Sequence, residues 1–324
     1  MSETLVSVDL AGDFAVDCCF TAPWAYHSLY ADIAATRMAR GAELVVVCHL
    51  VTEGACYVEI DGMDPVLVSA GEAIIFPRAD AHRLVSEAGI EACATFDVTQ
   101  THRPFRLCYG GGGGVTRLVS GFLACDRRLG RMLLVGLPRL VKVNMADAAA
   151  GAWLQASIVY AIKEARSNQP GSACMLSKLA VILFVEVLRT YMGERADARV
   201  GWLSALRDEV VGSALDALHE HPERAWTLQD LAQVAGISRS VFAERFMQLV
   251  GCPPIQYLTQ WRMYLAGQLL RQNKVPLATV ALEVGYQTDT AFSRAFRREY
   301  GVPPATWRRL QARKGAGAAQ SETA

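Results

Sequence analysis

LAQVAGISRSVFAERFMQLVGCPP (residues 231–254) and VALEVGYQTDTAFSRAFRREYGVPP (residues 280–304) are two copies of one pattern. Ala232 and Gly236 recur forty-nine residues later as Ala281 and Gly285. Phe242, Phe246, Gly251, Pro253 and Pro254 recur fifty residues later as Phe292, Phe296, Gly301, Pro303 and Pro304. The change of offset puts one extra residue in the second turn. Each copy reads as helix, turn, helix: a small alanine lets the second helix cross closely, and a glycine supplies the turn. Thr227 with Asp230 predicts an N-cap for the first helix of the first copy, and Ser238 and Thr288 are expected to cap the second helices. Gly251 and Gly301 then close those helices, and the prolines stop them.

Phenylalanines four apart drive one face of each second helix into a core. The opposite face is left for a partner: Arg239, Ser240, Ala243, Glu244 and Arg245 in the first copy, and Asp289, Thr290, Ser293, Arg294, Arg297 and Arg298 in the second. Between the copies, PIQYLTQWRMYLAGQLLRQ (254–272) predicts one helix with Tyr257, Trp261, Leu265 and Leu269 along a side. It should be about 25 Å long at 1.5 Å per residue. A rigid spacer of that order holds two helices near the ~34 Å repeat of B-DNA, so that both enter successive major grooves.

The charge distribution agrees. Net charge is zero over 324 residues, but Pro254–Arg313 carries nine basic side chains against three acidic ones. That local excess is the footprint of a phosphate-binding surface and leaves the remainder acidic. The length implies two domains. A hydrophobic content of 52% is high, yet the most apolar run, Met175–Met192, is interrupted by Lys178, Glu186 and Arg189 and reads as a buried helix rather than a membrane span. The N-terminus MSETLVSVDLAGD has neither a basic start nor an apolar stretch, so no secretory signal is expected. Nine cysteines without a regular spacing predict reduced thiols in a cytoplasm.

Residues 20–100 are strand-like: ELVVVCHLV (43–51), ACYVEI (55–60), PVLVSAG (65–71) and AIIFP (73–77) are short, β-branched and separated by turn residues. They predict a small antiparallel barrel or sandwich. Two helices follow, at about 150–167 and 173–194. The second carries a stripe of Leu176, Leu179, Leu183, Val187 and Tyr191, which suits either a dimer interface or packing on the sheet. The five glycines at 110–114 lack the Lys-Ser/Thr of a phosphate cradle and predict a flexible loop.

WTLQDLAQVAGIS, PxxYLxxWRMxxA and VALEVGYQTDTAFSRAFRREYGVPPATWRR, covering roughly Val210–Arg313, together resemble the DNA-binding domain of the AraC/XylS family of bacterial regulators. The resemblance implies double-stranded DNA and RNA polymerase as partners, and regulation, usually activation, of transcription in response to an effector. It places Arg294 at a position that contacts bases or phosphates in relatives, with Arg297 and Arg298 as phosphate contacts. Glu244 stands where many relatives carry a basic or amide residue. It either accepts from cytosine N4 or turns away and leaves the contact to Arg245 or Arg239.

DPVLVSAGEAIIFPRADAH (64–82) resembles the second motif of cupin barrels in Gly71, Pro77 and His82, with Ala79 where glycine is usual. Trp24, Tyr26, His49, Gly54, His82 and the run from Tyr109 to Arg117 resemble the cupin-type sensor of one branch of these regulators. Trp24, Tyr26, His49 and His82 are the candidate effector-pocket residues. The first cupin motif is incomplete at Cys48-His49-Leu50, so no metal and no cofactor are expected. Cys18, Cys19, Cys108 and Cys125 are candidate redox cysteines, whereas Cys48, Cys56 and Cys93 read as packing.

The expected architecture is α+β: a cupin-like antiparallel β-barrel with a helical pair, then an all-α domain of two helix-turn-helix units joined by a linker helix. The boundaries are 1–195 for a sensor and dimerisation domain, 196–209 for a linker, 210–313 for the tandem helix-turn-helix domain and 314–324 for a disordered tail. The reading is a non-enzymatic, cytoplasmic regulator, with its sensor half as the candidate homodimer interface, sensing a small molecule or a redox signal, with no membrane partner. The alternative is a metal-dependent cupin enzyme, an oxygenase or isomerase, fused to a DNA-binding tail.

Overall fold

The computed structural model describes residues 11–28, 44–91, 105–126, 128, 130, 134, 136–145, 151–167, 169–194, 202–271 and 275–321. Two compact units are present, one comprising Asp9–Cys125 with Leu137–Ala196 and the other Asp197–Ala324 with Asp126–Gly136.

The first unit opens with β1 (Ala11–Thr21), β2 (Ala25–Ser28), β3 (Leu44–Glu53), β4 (Ala55–Ile60), β5 (Val66–Ser69) and β6 (Glu72–Phe76). It continues with β7 (His82–Val85), β8 (Phe105–Gly110), β9 (Val115–Cys125) and β10 (Val141–Asn144), then α1 (Gly151–Ser167) and α2 (Ser172–Glu194). The strands form a six-stranded sheet ordered β10-β6-β3-β9-β1-β8 and a four-stranded sheet ordered β2-β7-β4-β5. The expected barrel is therefore two open sheets. One pairing also departs from the antiparallel expectation: β8 runs parallel to β1, because β8 and β9 flank β1 on opposite sides.

Alternation sorts each strand into two faces. Val47 and Val51 of β3, Ile74 and Phe76 of β6, and Leu118 and Phe122 of β9 point inward and meet Trp24, Tyr26, Cys56, Val58 and Leu84 in one core. The intervening residues point outward, where α1 and α2 cover the six-stranded sheet. The stripe read from the sequence is the buried side of α2, with Leu176, Val187 and Tyr191 all below 9% exposure. Ala79, at the position where cupins favour glycine, takes a left-handed backbone conformation with φ +50°, the conformation that makes glycine the usual choice there.

The glycine run is not a loose loop. It crosses the end of β1 and is fixed to it: Gly111 N donates to Thr21 O (2.8 Å), Gly113 N to Ala22 O (2.8 Å) and Gly112 N to Thr21 Oγ1 (3.0 Å), while Gly114 O accepts from Ala22 N (3.0 Å). At Gly110, Gly111 and Gly113 the approach is so close that a side chain is excluded.

The second unit is helical: α3 (Trp202–Arg207), α4 (Glu209–Glu220), α5 (Leu228–Val234), α6 (Arg239–Val250), α7 (Pro254–Arg271), α8 (Leu277–Glu283), α9 (Asp289–Tyr300) and α10 (Pro304–Ser321). Helix α10 continues through residues 314–321, where a disordered tail is expected; the Ala- and Gln-containing stretch there is compatible with a helix. The segment around Asp126 also groups with this unit rather than with 1–195. Arg128 stacks 3.4 Å above the Tyr300 ring and donates to Glu299 O (2.6 Å), and Arg271 lies 3.6 Å from Asp126. The expected linker falls partly on residues 195–201, outside the described residues.

Gly113→Ala should lower stability by about 1–3 kcal/mol, the usual cost of forced overpacking, because a Cβ there lies 2.7 Å from Ala22 O. Gly114→Ala is the control, since its Cβ meets nothing within 4 Å. Equal urea midpoints for the two variants would refute the close-approach account.

Candidate functional site

Both helix-turn-helix units form as read. Thr227 makes a full capping box with Asp230, accepting from Asp230 N (3.2 Å) while Thr227 N donates to Asp230 Oδ2 (2.8 Å). Thr288 caps α9 by accepting from Ala291 N (3.2 Å). Ser238 holds the N-cap position of α6 with extended backbone but makes no side-chain cap bond; its Oγ lies 3.4 Å from Ser240 Oγ instead. The left-handed Gly251 and Gly301 end the two second helices.

Gly285 is required twice over. Its φ is +79°, and an added Cβ would sit 2.6 Å from both Glu223 O and Arg262 Nη2. Arg262 fills this spot because it staples two segments, donating from Nε to Pro222 O (2.6 Å) and from Nη2 to Arg224 O (2.8 Å). Burial lowers its pKa.

The buried phenylalanines set the rotation of each second helix. Phe242 and Phe246, and Phe292 and Phe296, are all fully or almost fully buried. On α9 the opposite face presents exposed Asp289, Thr290, Arg294, Arg297 and Arg298, with Ser293 half-buried. Thr290, Ser293, Arg294 and Arg297 follow the i, i+3, i+4, i+7 spacing of one helical face. Arg294 and Arg297 have no ion-pair partner among the described residues. Arg298 lies 3.9 Å from Glu299.

On α6, Arg239, Ser240 and Glu244 are exposed and Ala243 is half-buried. Arg245 is committed elsewhere. It binds Asp208 Oδ2 through both Nε (3.0 Å) and Nη2 (2.6 Å), while Asp208 Oδ1 caps α4 through Val210 N and Val211 N. Glu244 accepts from Gln248 (3.3 Å). The basic excess is also partly internal: Arg262 and Arg271 are engaged as described, and Arg308 donates to Val275 O. Lys274 is outside the described residues.

Sequence reasoning missed His219. It lies 2.7 Å from Tyr257 Oη, packs on Trp261, and burial pulls its pKa down to about 4. No spacing rule links it to residues 38 positions away.

In the first unit, Trp24, Tyr26, His49 and His82 are brought together as closed core, not as an open pocket; each is 5% exposed or less. Phe20 stacks against Trp24 with centroids 4.5 Å apart, and His82 lies flat on Phe76 at 3.5 Å. The histidines form a hydrogen-bond chain whose protons can be placed. His82 Nδ1 is 2.7 Å from Asp80 O, which can only accept, so Nδ1 carries the proton. Neutral His82 then accepts at Nε2 from His49 Nε2–H, 2.8 Å away. His49 Nδ1 in turn accepts from Ser120 Oγ at 2.7 Å. Burial pulls both pKa values down, that of His82 to about 4 against an opposing pull from Asp80; the His82 imidazole further disfavours charge on His49, as His27 does on His82.

The cupin fold raises the question of a metal, and these donors do not fit one. His49 and His82 offer two imidazoles, fewer than the three or four protein ligands of a zinc site. No group of three or more His, Cys, Asp or Glu able to hold a metal occurs among the described residues.

Of the redox candidates, Cys18 is fully buried, and burial with the nearby Asp17 charge raises its thiol pKa well above the usual range. Cys19 and Cys108 are register partners on the parallel β1–β8 pair, the first partly and the second fully accessible. The side chain of Cys125 is outside the described residues. Burial raises the thiols of Cys48 and Cys56 to about 12, in keeping with packing roles.

Comparison with known proteins follows the same division. Residues 1–193 match the cupin family and residues 231–310 match a helix-turn-helix domain. A protein of Streptomyces lividans named as an AraC-like transcription regulator is 35% identical over 270 residues, 82% of this chain and 87% of its own. The HTH-type transcriptional regulator AlkR of Acinetobacter baylyi is 29% identical over 88% of this chain and 90% of its own. The solved DNA-binding domain of AdpA, a global transcriptional factor in complex with a target DNA, is 31% identical over 32% of this chain and 93% of its own, with a TM-score of 0.31. No helix among the described residues is long and apolar enough to cross a membrane.

The buried histidines give stability a pH sign. Folded His49, His82 and His219 stay neutral, while in the unfolded chain each takes up a proton near pH 6.5. Their contribution is complete above that pH and is lost as pH falls from 6.5 towards about 4. Each histidine adds a slope of about 1.4 kcal/mol per pH unit in that window. Urea midpoints at pH 7.5, 6.0 and 5.0 should fall in that order; a flat series would disprove the neutral chain.

Proposed function

The chain belongs to the AraC-like transcription regulators, and from that premise we propose that α6 and α9 enter successive major grooves of double-stranded DNA, with Arg294 as the principal base reader. The observation that carries this reading is the α9 face: Thr290, Arg294 and Arg297 are exposed, aligned, and held in fixed rotation by Phe292 and Phe296. Ser293 and Asp289 flank the contact, and Arg297 and Arg298 meet phosphates, since fixed cations along a recognition helix position it on the backbone. In α6 the contacts come from Arg239, Ser240, Ala243 and Glu244. Arg245 serves the Asp208 ion pair, with Nε and Nη2 both donating to the one oxygen Oδ2.

The domain reading is a sensor and dimerisation half of 1–195 followed by a linker of 196–209 and an output half of 210–313. The sensor binds rather than transforms its effector, because the two histidines that a cupin enzyme would offer a metal spend their nitrogens on each other, on Ser120 and on Asp80. Homodimerisation uses the outer side of α1 and α2, where Trp153, Val159, Tyr160, Met175 and Ile182 are exposed apolar residues. The protein acts in the cytoplasm as an activator that recruits RNA polymerase.

The test is enrichment of genomic DNA fragments by the purified chain. A motif of two short blocks about ten base pairs apart is expected, and Arg294→Ala should weaken its binding by about 1–3 kcal/mol and relax the sequence preference. Unchanged affinity and preference in the variant would remove Arg294 from the interface.

The register of Cys19 with Cys108 favours a second, redox reading of the sensor. Paired strands bring Cα atoms within the 4.4–6.8 Å span of a disulfide. A two-electron oxidant such as hydrogen peroxide would join the two sulfurs, with loss of both thiol hydrogens and formation of two waters from the peroxide. Peptide mapping of peroxide-treated protein should recover a Cys19–Cys108 crosslink that dithiothreitol reverses; recovery of both as free thiols would end this reading.

A further inference from the structure

Among the described residues the inner side of the two sheets is filled by aromatic side chains, whereas the outer side of the same strands borders open space. Phe20, Trp24, Tyr26 and Phe76 fill the interior at 1% exposure or less. On the other face of the six-stranded sheet, between β3, β6 and β9 and the two helices, lies a cavity of about 60 Å³ within a cleft holding about 570 Å³ of empty space, part of it open to solvent.

We propose that this cleft binds an uncharged, apolar small molecule, whose aromatic ring or short alkyl chain fills the cavity beside Cys48, Gly121 and Ala180. The proposal rests on the sensor reading and names the chemical class of its effector. The reason lies in the strand alternation. His49 and Ser120 point inward, so their neighbours Cys48, Leu50, Val119 and Gly121 must point outward. Ala73 and Gly121 on the sheet and Ala180 on α2 are small, which leaves room that the larger Phe184 and Val187 of α2 do not close.

The lining selects the ligand. No residue around the cleft carries a formal charge: besides apolar side chains it has only the Cys48 thiol and His49. His49 is already bonded at both ring nitrogens and stays neutral. The Cys48 thiol stays protonated, its pKa pushed up to about 12 by burial. A charged or strongly hydrated molecule would lose its water here without gaining partners. An apolar one supplies the dispersion contacts that the lining atoms lack. A void of about 60 Å³ exceeds by several-fold the roughly 10–15 Å³ that one water requires.

The experiment uses the full chain and two matched probes, naphthalene and naphthalene-1-sulfonate, titrated by fluorescence. Saturable one-to-one binding of naphthalene is expected, with the sulfonate at least tenfold weaker. Ala180→Leu, which fills the cavity from α2, should weaken naphthalene binding at least tenfold, with circular dichroism reporting whether the variant folds. If it does not, Leu183→Phe, at a half-buried lining position, replaces it with the same expectation. Absence of saturable binding, equal binding of the two probes, or undiminished binding in a folded cavity-filling variant would overturn the proposal. DNA enrichment measured alongside separates the two readings. Probe binding lost with enrichment intact removes the cleft alone, and enrichment lost with probe binding intact removes the DNA interface alone.

Discussion

Helix α7 packs against both helix-turn-helix units, with half of its eighteen residues buried, and the geometry of the DNA-binding half depends on that burial. Tyr257, Leu258 and Trp261 face the first helix-turn-helix unit, while Met263, Ala266 and Leu270 enter the core of the second. Packed against both units at once, the helix has its rotation fixed from both ends. Tyr300, at the end of α9, donates to Met263 O at 3.1 Å and leaves no room for a side chain at Gly267. Each recognition helix is thus positioned against one common rod. At 1.5 Å per residue, the eighteen residues of α7 span about 27 Å, a length that suits the proposed two-block target.

What the sequence made legible is what local chemistry controls. The paired phenylalanines, the Thr227 and Thr288 caps, the left-handed glycines at 251 and 301 and the helical span of α7 all follow from spacings of a few residues. The residues that escaped prediction act over long separations. Arg245 reads as an exposed candidate contact, and nothing local announces that Asp208, thirty-seven positions earlier, is folded against it. Arg262 counts as one more positive charge until its guanidinium is found between Pro222 O, Arg224 O and Gly285. Ser238 shows the limit even of a local rule: the residue type and backbone are right for a cap, yet the bond is absent.

The cupin half repeats this lesson at the level of topology. Short β-branched runs identify strands, but nothing in β8 says that it pairs parallel to β1, since that depends on the chain crossing over the end of β1. The glycine run is where that crossing is made, and it reads as flexible only when its tight contacts with Thr21 and Ala22 are out of view. In the same way, His49 and His82 look like two ligands of an incomplete metal set. In the fold their nitrogens are consumed pairwise, a consequence of β3 and β7 directing both rings into one dry space.

The two faces of β3 and β9 then carry opposite properties, and this sets how the sensor can work. Inward, every hydrogen-bonding atom of the histidine chain has a partner, and protonating His82 would place two donors at 2.8 Å. Such a network resists change, because a half-satisfied buried network costs more than none. Outward, the same strands border an incompletely filled cleft. A ligand there would press on Cys48 and Leu50 on either side of His49, and on Val119 and Gly121 on either side of Ser120. The stiff inner face holds the strands in register, so the element with freedom to respond is α2. Its lining residues Ala180, Leu183, Phe184 and Val187 meet the cleft, while Ile182 on its other side is exposed. A signal from the cleft would therefore emerge through the helical pair rather than through the sheets.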